Sequence, residues 1–421
     1  MNRILCLFLI VCLAIASGTA LADESGLNAD AMSELRAAGV DKYLGTSESE
    51  KSEYGLWTKH DFDPKYGLDG RPDGPVCIAG TNYSVFTRQG HPKKLLIFLQ
   101  GGGACWNGFY NCNVLAEAQF PPADGPFPGA FDPTNPDNPF ADYSVVYMPY
   151  CDGSTFGGDN DVDDSAFPGG TRYHRGLRNV SAGMDVAKDM FPRAKQITVM
   201  GHSAGGVGAA AFTPFLTRFA FGNNTKLTVY NDAGPIAVNL GAGSPPFGCA
   251  DFSCLSVVAR AFDWQFQQFY PQSCVDDGRC NPFGQQTGII DWRLENDSTI
   301  REGFYETDSD RTNRFFAQGD GSLMDPLVYR DLILTEHGAL NEAYPRRYKR
   351  FIVSGDDTHG AVQVTAPTPN FPFQQPFSFY QREANGTPLT KWASEFVRIG
   401  QRQSRFGWKD IVEEYVPVAI P

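Results

Sequence analysis

The chain predicts an α/β fold, a mostly parallel central sheet with helices on both faces. Three observations carry that expectation: short apolar runs, helical patterns between them, and glycine-rich turns directly after two of the runs. Lys94 to Leu99 and Ser144 to Met148 are the first strand candidates. Gln196 to Met200, Leu227 to Tyr230, Thr299 to Tyr305 and Arg350 to Val353 follow. The first two are continuous rather than alternating, as expected of parallel strands buried on both faces. Helical patterns over Arg172 to Met190, Val207 to Phe221 and Leu255 to Phe269 separate the strands, as βαβ units require. In such sheets functional groups collect at the carboxyl ends of the strands.

The N-terminus reads as an export signal over residues 1–22. Arg3 precedes the uncharged apolar run Ile4 to Ile15, and Ala20-Leu21-Ala22 supplies a small-x-small cleavage pattern. The run is short for a bilayer span, and no later stretch is long and apolar enough, so no transmembrane segment is expected. Residues 23–55 look like a polar, peripheral lead-in with a short helix around Ala29 to Ala38.

Of ten cysteines, Cys6 and Cys12 leave with the signal. The remaining eight suggest disulfides in a secreted protein, extracellular or, in a bacterium, periplasmic. Cys105/Cys112, Cys249/Cys254 and Cys274/Cys280 are natural local pairs, which would leave Cys77 and Cys151 for each other. No C-x-x-C pair or histidine cluster suggests metal.

The roughly 400 residues that remain exceed the usual single-domain length. With 42% hydrophobic residues and no linker, one catalytic domain over 23–421 is expected, with an insertion at about 247–296. That insertion holds four cysteines and the aromatics Phe262, Trp264, Phe266, Phe269 and Tyr270. It reads either as a helical core face or as a disulfide-stapled cap whose aromatics line a cleft. A net charge of -13 argues against nucleic acid or anionic membrane partners. Sequons at Asn82, Asn179, Asn223, Asn296 and Asn385 offer glycan sites in a glycosylating host.

The chemistry begins at Gly201-His202-Ser203-Ala204-Gly205, a G-x-S-x-G element between a strand and a small-residue helical run. A sharp strand-to-helix turn there exposes the Ser203 hydroxyl at a helix N-terminus and needs small neighbours. Gly101-Gly102-Gly103 follows the first strong strand and lets backbone N–H groups turn toward a substrate oxygen. Acyl transfer develops an oxyanion, and each lost donor typically costs about 3–4 kcal/mol of barrier. Ala204 N–H, next to the nucleophile, is the expected partner donor. Together these make the fold α/β-hydrolase-like and Ser203 the expected nucleophile.

Ser203 needs a base, and the base needs an acid to orient it. Chain order in this fold is serine, acid, histidine, which leaves His337 and His359. His359 lies in a polar loop after the strand ending at Val353; His337 reads as a helix end, where its ring would meet the final carbonyls. His359 is preferred. Candidate acids are Asp232, Asp308, Asp310, Asp356 and Asp357; position after a late strand favours the Asp308/Asp310 pair, and composition cannot split it.

Four stretches in order resemble the pectin acetylesterase/Notum family of serine carboxylesterases. They are Phe98 to Cys105, Met148-Pro149-Tyr150-Cys151, Gly201 to Gly206, and Asn231-Asp232-Ala233-Gly234. The resemblance runs from about Val76 to Val364 and implies a Ser–Asp–His triad without metal or organic cofactor. It implies Ser203 as nucleophile and His359 as base. Matching Asn313-Arg314-Phe315-Phe316 to the family's aromatic helix implies Asp310 as acid. Gly102, Gly103 and Ala204 fall at the family's oxyanion donors, and the bridges Cys105–Cys112 and Cys77–Cys151 are implied. Gln100 and Ala104 depart from the usual Glu and Trp, Trp106 is displaced, and Asn313 replaces a Gln. These departures touch pocket shape rather than the nucleophile.

The expected function is hydrolysis of acetyl or other short acyl esters, on a carbohydrate such as pectin, by a monomer. The alternatives are a carboxylesterase acting on longer acyl chains of lipid or lipidated peptide, and an inactive binding protein on the same scaffold.

Overall fold

A computed structural model describes residues 26–68, 70–112, 114, 129–235, 261–281, 287–318, 322–362, 379–398 and 407–418. The signal-like segment, Cys249 and Cys254 lie outside these residues.

The strands are β1 (Ser49–Tyr54), β2 (Trp57–Phe62), β3 (Ser84–Arg88), β4 (His91–Leu99), β5 (Gly103–Trp106), β6 (Phe109–Cys112) and β7 (Tyr143–Met148). They continue with β8 (Asn160–Asp163), β9 (Thr171–His174), β10 (Gln196–His202), β11 (Lys226–Asp232), β12 (Arg301–Thr307) and β13 (Tyr348–Val353). The main sheet runs β1-β2-β3-β7-β4-β10-β11-β12-β13 and ends on the short strand Ile411–Val412. From β7 onward all of its pairings are parallel, while β1, β2 and β3 are antiparallel additions at one side. The pairs β5–β6 and β8–β9 are separate antiparallel hairpins.

The continuous apolar runs have a direct structural cause. In β4, Leu95, Ile97 and Leu99 enter one buried cluster, and Leu96 and Phe98 enter the other. Successive side chains of a strand point to opposite faces, so both faces here are core. One face is covered by α1 (Ala29–Ala37), α2 (Gly176–Met190), α4 (Thr213–Phe221), α5 (Thr287–Asn296) and α7 (Pro326–Ala343). Between α2 and α4 lies the short α3 (Ala204–Ala210), and before α7 lies α6 (Arg311–Gln318). The opposite face is covered by α8 (Leu389–Val397), through Trp392 and Phe396, together with Trp408.

Several expectations need correction. The lead-in is not peripheral: Leu27, Ala31, Leu35 and Val40 are in the core, and Ser49 to Phe62 forms the β1–β2 hairpin. The helix expected over Val207 to Phe221 is two, α3 and α4, because Ala211 leaves helical geometry with ψ -104°. Residues 172–174 belong to β9 rather than to the helix that follows. His337 is not at a helix end. It lies inside α7, fully buried, with its ring stacked 3.8 Å from that of Phe304 and its Nδ1 bonded to the Tyr348 hydroxyl. Asn179 is also buried and donates its amide to Val76 O, so that sequon is closed, whereas Asn82 and Asn385 are exposed.

Cys77–Cys151, Cys105–Cys112 and Cys274–Cys280 are bridged. The first ties the entry of β3 to the loop after β7; the second staples the β5–β6 hairpin. No described helix is long and apolar enough to cross a membrane.

Candidate active site

Parallel registry places the ends of β4, β10, β11, β12 and β13 along one edge of the sheet. Leu99 is paired with Gly201, His202 with Asp232, Asp232 with Tyr305, and Thr307 with Val353. The segments that follow these ends contain nearly every residue singled out above.

Ser203 sits between β10 and α3 at φ 54° and ψ -122°, a conformation that costs a non-glycine residue about 1–3 kcal/mol. Its N–H donates to Asp232 O at 2.8 Å and its carbonyl accepts from Val207 N at 3.0 Å, so both flanking elements hold the turn. The glycines around it are steric necessities. A Cβ on Gly201 would lie 1.9 Å from Gly205 O, and one on Gly205 would lie 2.1 Å from Leu99 O.

His359, in the loop after β13, is buried and bonded through Nδ1 to Asp310 Oδ2 at 2.7 Å. Its other nitrogen, Nε2, is buried without a hydrogen-bond partner among the described residues. Its ring centre lies 4.8 Å from that of His202, the residue before Ser203. Asp310 is fixed because it heads α6: its Oδ1 accepts from Asn313 N at 2.8 Å, in the manner of an N-cap. Asp308 instead pairs with Arg330. The structure thus brings Asp310, and not Asp308, to His359. Asp356 is held by Arg382, and Asp232 goes to a different histidine, His202, at 2.7 Å.

Burial lowers His359 to about 4, against the opposing pull of Asp232. Behind Asp310 lies a carboxyl that had no expected role, Glu306. It accepts from Thr307 N at 2.8 Å, Tyr329 Oη at 2.9 Å and Asn313 Nδ2 at 2.9 Å, and the same amide reaches Asp310 Oδ2 at 3.1 Å. Burial pushes both acids well above the usual range; Asp310 raises Glu306 further, while the N–H groups of α6 and Glu306 itself counter the rise at Asp310. Two adjacent buried carboxyls do not both ionise. Of the two, Asp310 is the carboxyl bonded to His359. Only the Glu306-to-Asp310 spacing in sequence hinted at this pair.

The cleft beside Ser203 encloses about 580 Å³, open solvent included. Gly103, Ala104 and Ala204 line it with Ser203, Thr155, Asn313, Trp106, Trp264 and Phe316. Gly102 is in the turn before β5 but does not line the cleft. A Cβ on Gly103, which has φ 84°, would lie 2.1 Å from Asn111 O, so only glycine fits there. Ala104 is part of the wall, and Trp106 covers the neighbouring space, stacked on Phe109 at 4.1 Å. Gln100 is buried, its Oε1 accepting from Tyr150 N at 3.0 Å.

Of the aromatics expected in the insertion, Trp264 lines the cleft and Phe269 packs in the core, while Phe262 is exposed. Trp264 is locked: its Nε1 donates to Cys105 O at 2.7 Å, and neighbouring Asp263 accepts from Asn107 N at 2.6 Å and from buried Arg172 at 2.7 Å. Thr155 escaped sequence reading because only the fold brings it to the cleft, and the Arg172–Asp263 pair because only the fold joins its partners.

The Asn231-Asp232-Ala233-Gly234 stretch also gains a physical account. Asn231 closes the turn by bonding Gly234 N at 2.9 Å and Gly234 O at 2.7 Å. A Cβ on Gly234 would lie 2.4 Å from Val207 N, so α3 packs directly on this glycine. Among the described residues no group of three or more His, Cys, Asp or Glu side chains is placed to hold a metal ion.

The pectinacetylesterase family model matches residues 68–237. That span contains all four stretches on which the resemblance was drawn, together with Ser203; Asp310 and His359 lie beyond it. Two crystal forms of the Wnt deacylase Notum from Drosophila are similar in structure, with TM-scores of 0.54 and 0.49 at 16% and 14% identity. Each match covers 76% of this chain and 88% of Notum. The first shows the same α/β fold. The family match makes the chain a hydrolase of the carboxylesterase type.

Proposed function

We propose that this chain is an exported esterase that removes acetyl or other short acyl groups from a carbohydrate through a serine acyl-enzyme. The observation that carries this reading is the 2.7 Å bond between His359 Nδ1 and Asp310 Oδ2, at the sheet edge that bears Ser203. Asp310 holds the imidazole with its proton on Nδ1, which leaves Nε2 to take the Ser203 proton as Oγ attacks the ester carbonyl. The oxyanion is met by backbone N–H groups of Gly103 and Ala204, both in the cleft wall. Collapse passes the proton from His359 to the departing sugar hydroxyl, and water then releases the acid by the same route. The pectinacetylesterase match supports an acetylated carbohydrate, and the three disulfides support an oxidising compartment outside the cytoplasm.

A second reading rests on a further cavity of about 400 Å³, open solvent included, that shares Thr155, Val207 and Trp264 with the cleft and is lined by Phe212, Phe266, Tyr270 and Ile289. Such a wall suits a longer acyl chain. Turnover of nitrophenyl esters from acetate to decanoate, beside acetate release from acetylated pectin and xylan, separates the two. Highest kcat/KM at acetate or butyrate, with acetate released from a polymer, is expected; a maximum at decanoate without polymer deacetylation rejects the short-acyl reading.

The pH profile follows from burial. A base must be neutral, and His359 protonates only as pH falls through about 4. The kcat/KM profile for nitrophenyl acetate should therefore hold level down to about pH 5 and fall with a midpoint near 4. A midpoint at the ordinary imidazole value of 6.5 is the contrary result.

A further inference from the structure

We propose that Asp232 is a positioning residue for His359: it fastens the loop that carries the base and sets a second negative charge beside the imidazolium formed during turnover. This rests on the esterase reading above. Asp232 ends β11 and is fully buried. One oxygen, Oδ2, accepts three bonds, from His202 Nδ1 at 2.7 Å, Ala361 N at 2.9 Å and Val362 N at 3.1 Å. Its other oxygen has no partner among the described residues. The chain leaving His359 therefore wraps around this carboxylate. Gly360, at φ 70°, is required at the crossing, because a Cβ there would lie 2.7 Å from Asp232 Oδ2 and 2.3 Å from His202 Cε1.

The rest of the loop is tied from other elements. Thr307 Oγ1 donates to Thr358 O at 2.7 Å, Arg311 N to Asp357 O at 3.0 Å, and Arg382 bonds Asp356 and Thr358. The titratable groups around His359 are thus Asp310 with Glu306 behind it, His202, Asp232, Asp356 and Asp357, and the cation Arg382. Burial depresses His202 against the pull of Asp232. Asp232 raises the basicity of His359 against the effect of burial. Asp310 orients the ring from Nδ1, and Asp232 braces the backbone just past it.

The test uses the full chain phosphonylated at Ser203 by a fluorophosphonate, so that His359 carries its proton as in turnover. Proton NMR follows the downfield Nδ1–H resonance of the imidazolium against pH in the wild type and in Asp232→Asn. Asparagine keeps the volume and one oxygen for the three donors but removes the charge. The resonance is expected to titrate roughly one pH unit lower in the variant, with kcat on nitrophenyl acetate down about tenfold. An unchanged titration, whatever the fall in kcat, overturns the proposal, because a merely structural brace would not move it. If Asp232→Asn does not fold, His202→Asn carries the test, since it leaves the carboxylate in place. Its titration is expected at or above the wild-type value, and a drop of about one pH unit with the carboxylate still present would overturn the idea. A wild-type chain that takes no phosphonate at Ser203 would bring down the esterase reading itself, and this inference with it.

Discussion

Ser203→Ala is expected to lower ester turnover by about four to six orders of magnitude while leaving the fold unchanged. In the proposed mechanism the hydroxyl is the atom that bonds to the acyl carbon, and among the described lining residues no neighbouring side chain replaces it. The lining residues nearest to it in sequence are Ala204 and Val207, and Thr155 comes from the loop after β7 with no histidine bonded to it among the described residues. The backbone strain at φ 54° is borne equally by alanine, so stability should change by less than about 0.5 kcal/mol. Hydrolysis of nitrophenyl acetate, adduct mass after fluorophosphonate treatment, and Tm measured on the same samples give the answer. Retention of more than about 1% of wild-type kcat, or an adduct in the alanine variant, would place the nucleophile elsewhere.

The contrast between what the sequence foretold and what it concealed has a physical basis. The buried strands were legible because residues such as Leu95 and Leu96 enter opposite cores, which forces an unbroken apolar run. The serine turn was legible because Gly201 and Gly205 have no room for a Cβ, so chemistry and sterics leave the same mark. The β1 strand was not legible: it lies at the sheet margin, largely exposed, and its polar sequence carries no burial signal. His337 misled because Gly338 mimics a helix stop, whereas α7 continues to Ala343.

Carboxylate roles were the least legible part. Asp232 ends one strand and Asp308 and Asp310 follow another at the same sheet edge, and their partners stand 30, 22 and 49 residues away. Local composition holds no information on such pairings; sheet registry and the start of α6 decide them. Glu306 was hidden for the same reason, since its partners Asn313 and Tyr329 come from two separate helices.

Asp310→Asn is expected to reduce kcat by about 10⁴-fold with little change in KM. Both oxygens of Asp310 accept N–H donors, Oδ1 from Asn313 N and Oδ2 from His359 Nδ1 and Asn313 Nδ2. An amide offers only one acceptor oxygen. If its NH₂ faces His359, the ring must carry its proton on Nε2 and is no longer able to receive one from Ser203. If the NH₂ turns toward Asn313 N, two donors oppose each other at the head of α6. Either arrangement also leaves the imidazolium of the transition state without its negative partner. The rate of fluorophosphonate labelling should fall in proportion to kcat, because both need the activated hydroxyl. Asp308→Asn is the matched control: its carboxylate serves Arg330, so kcat should stay within about threefold of wild type. A large loss at Asp308 with a small one at Asp310 would reverse the assignment of the acid. It would also require the His359 loop to turn away from α6 before the substrate reacts.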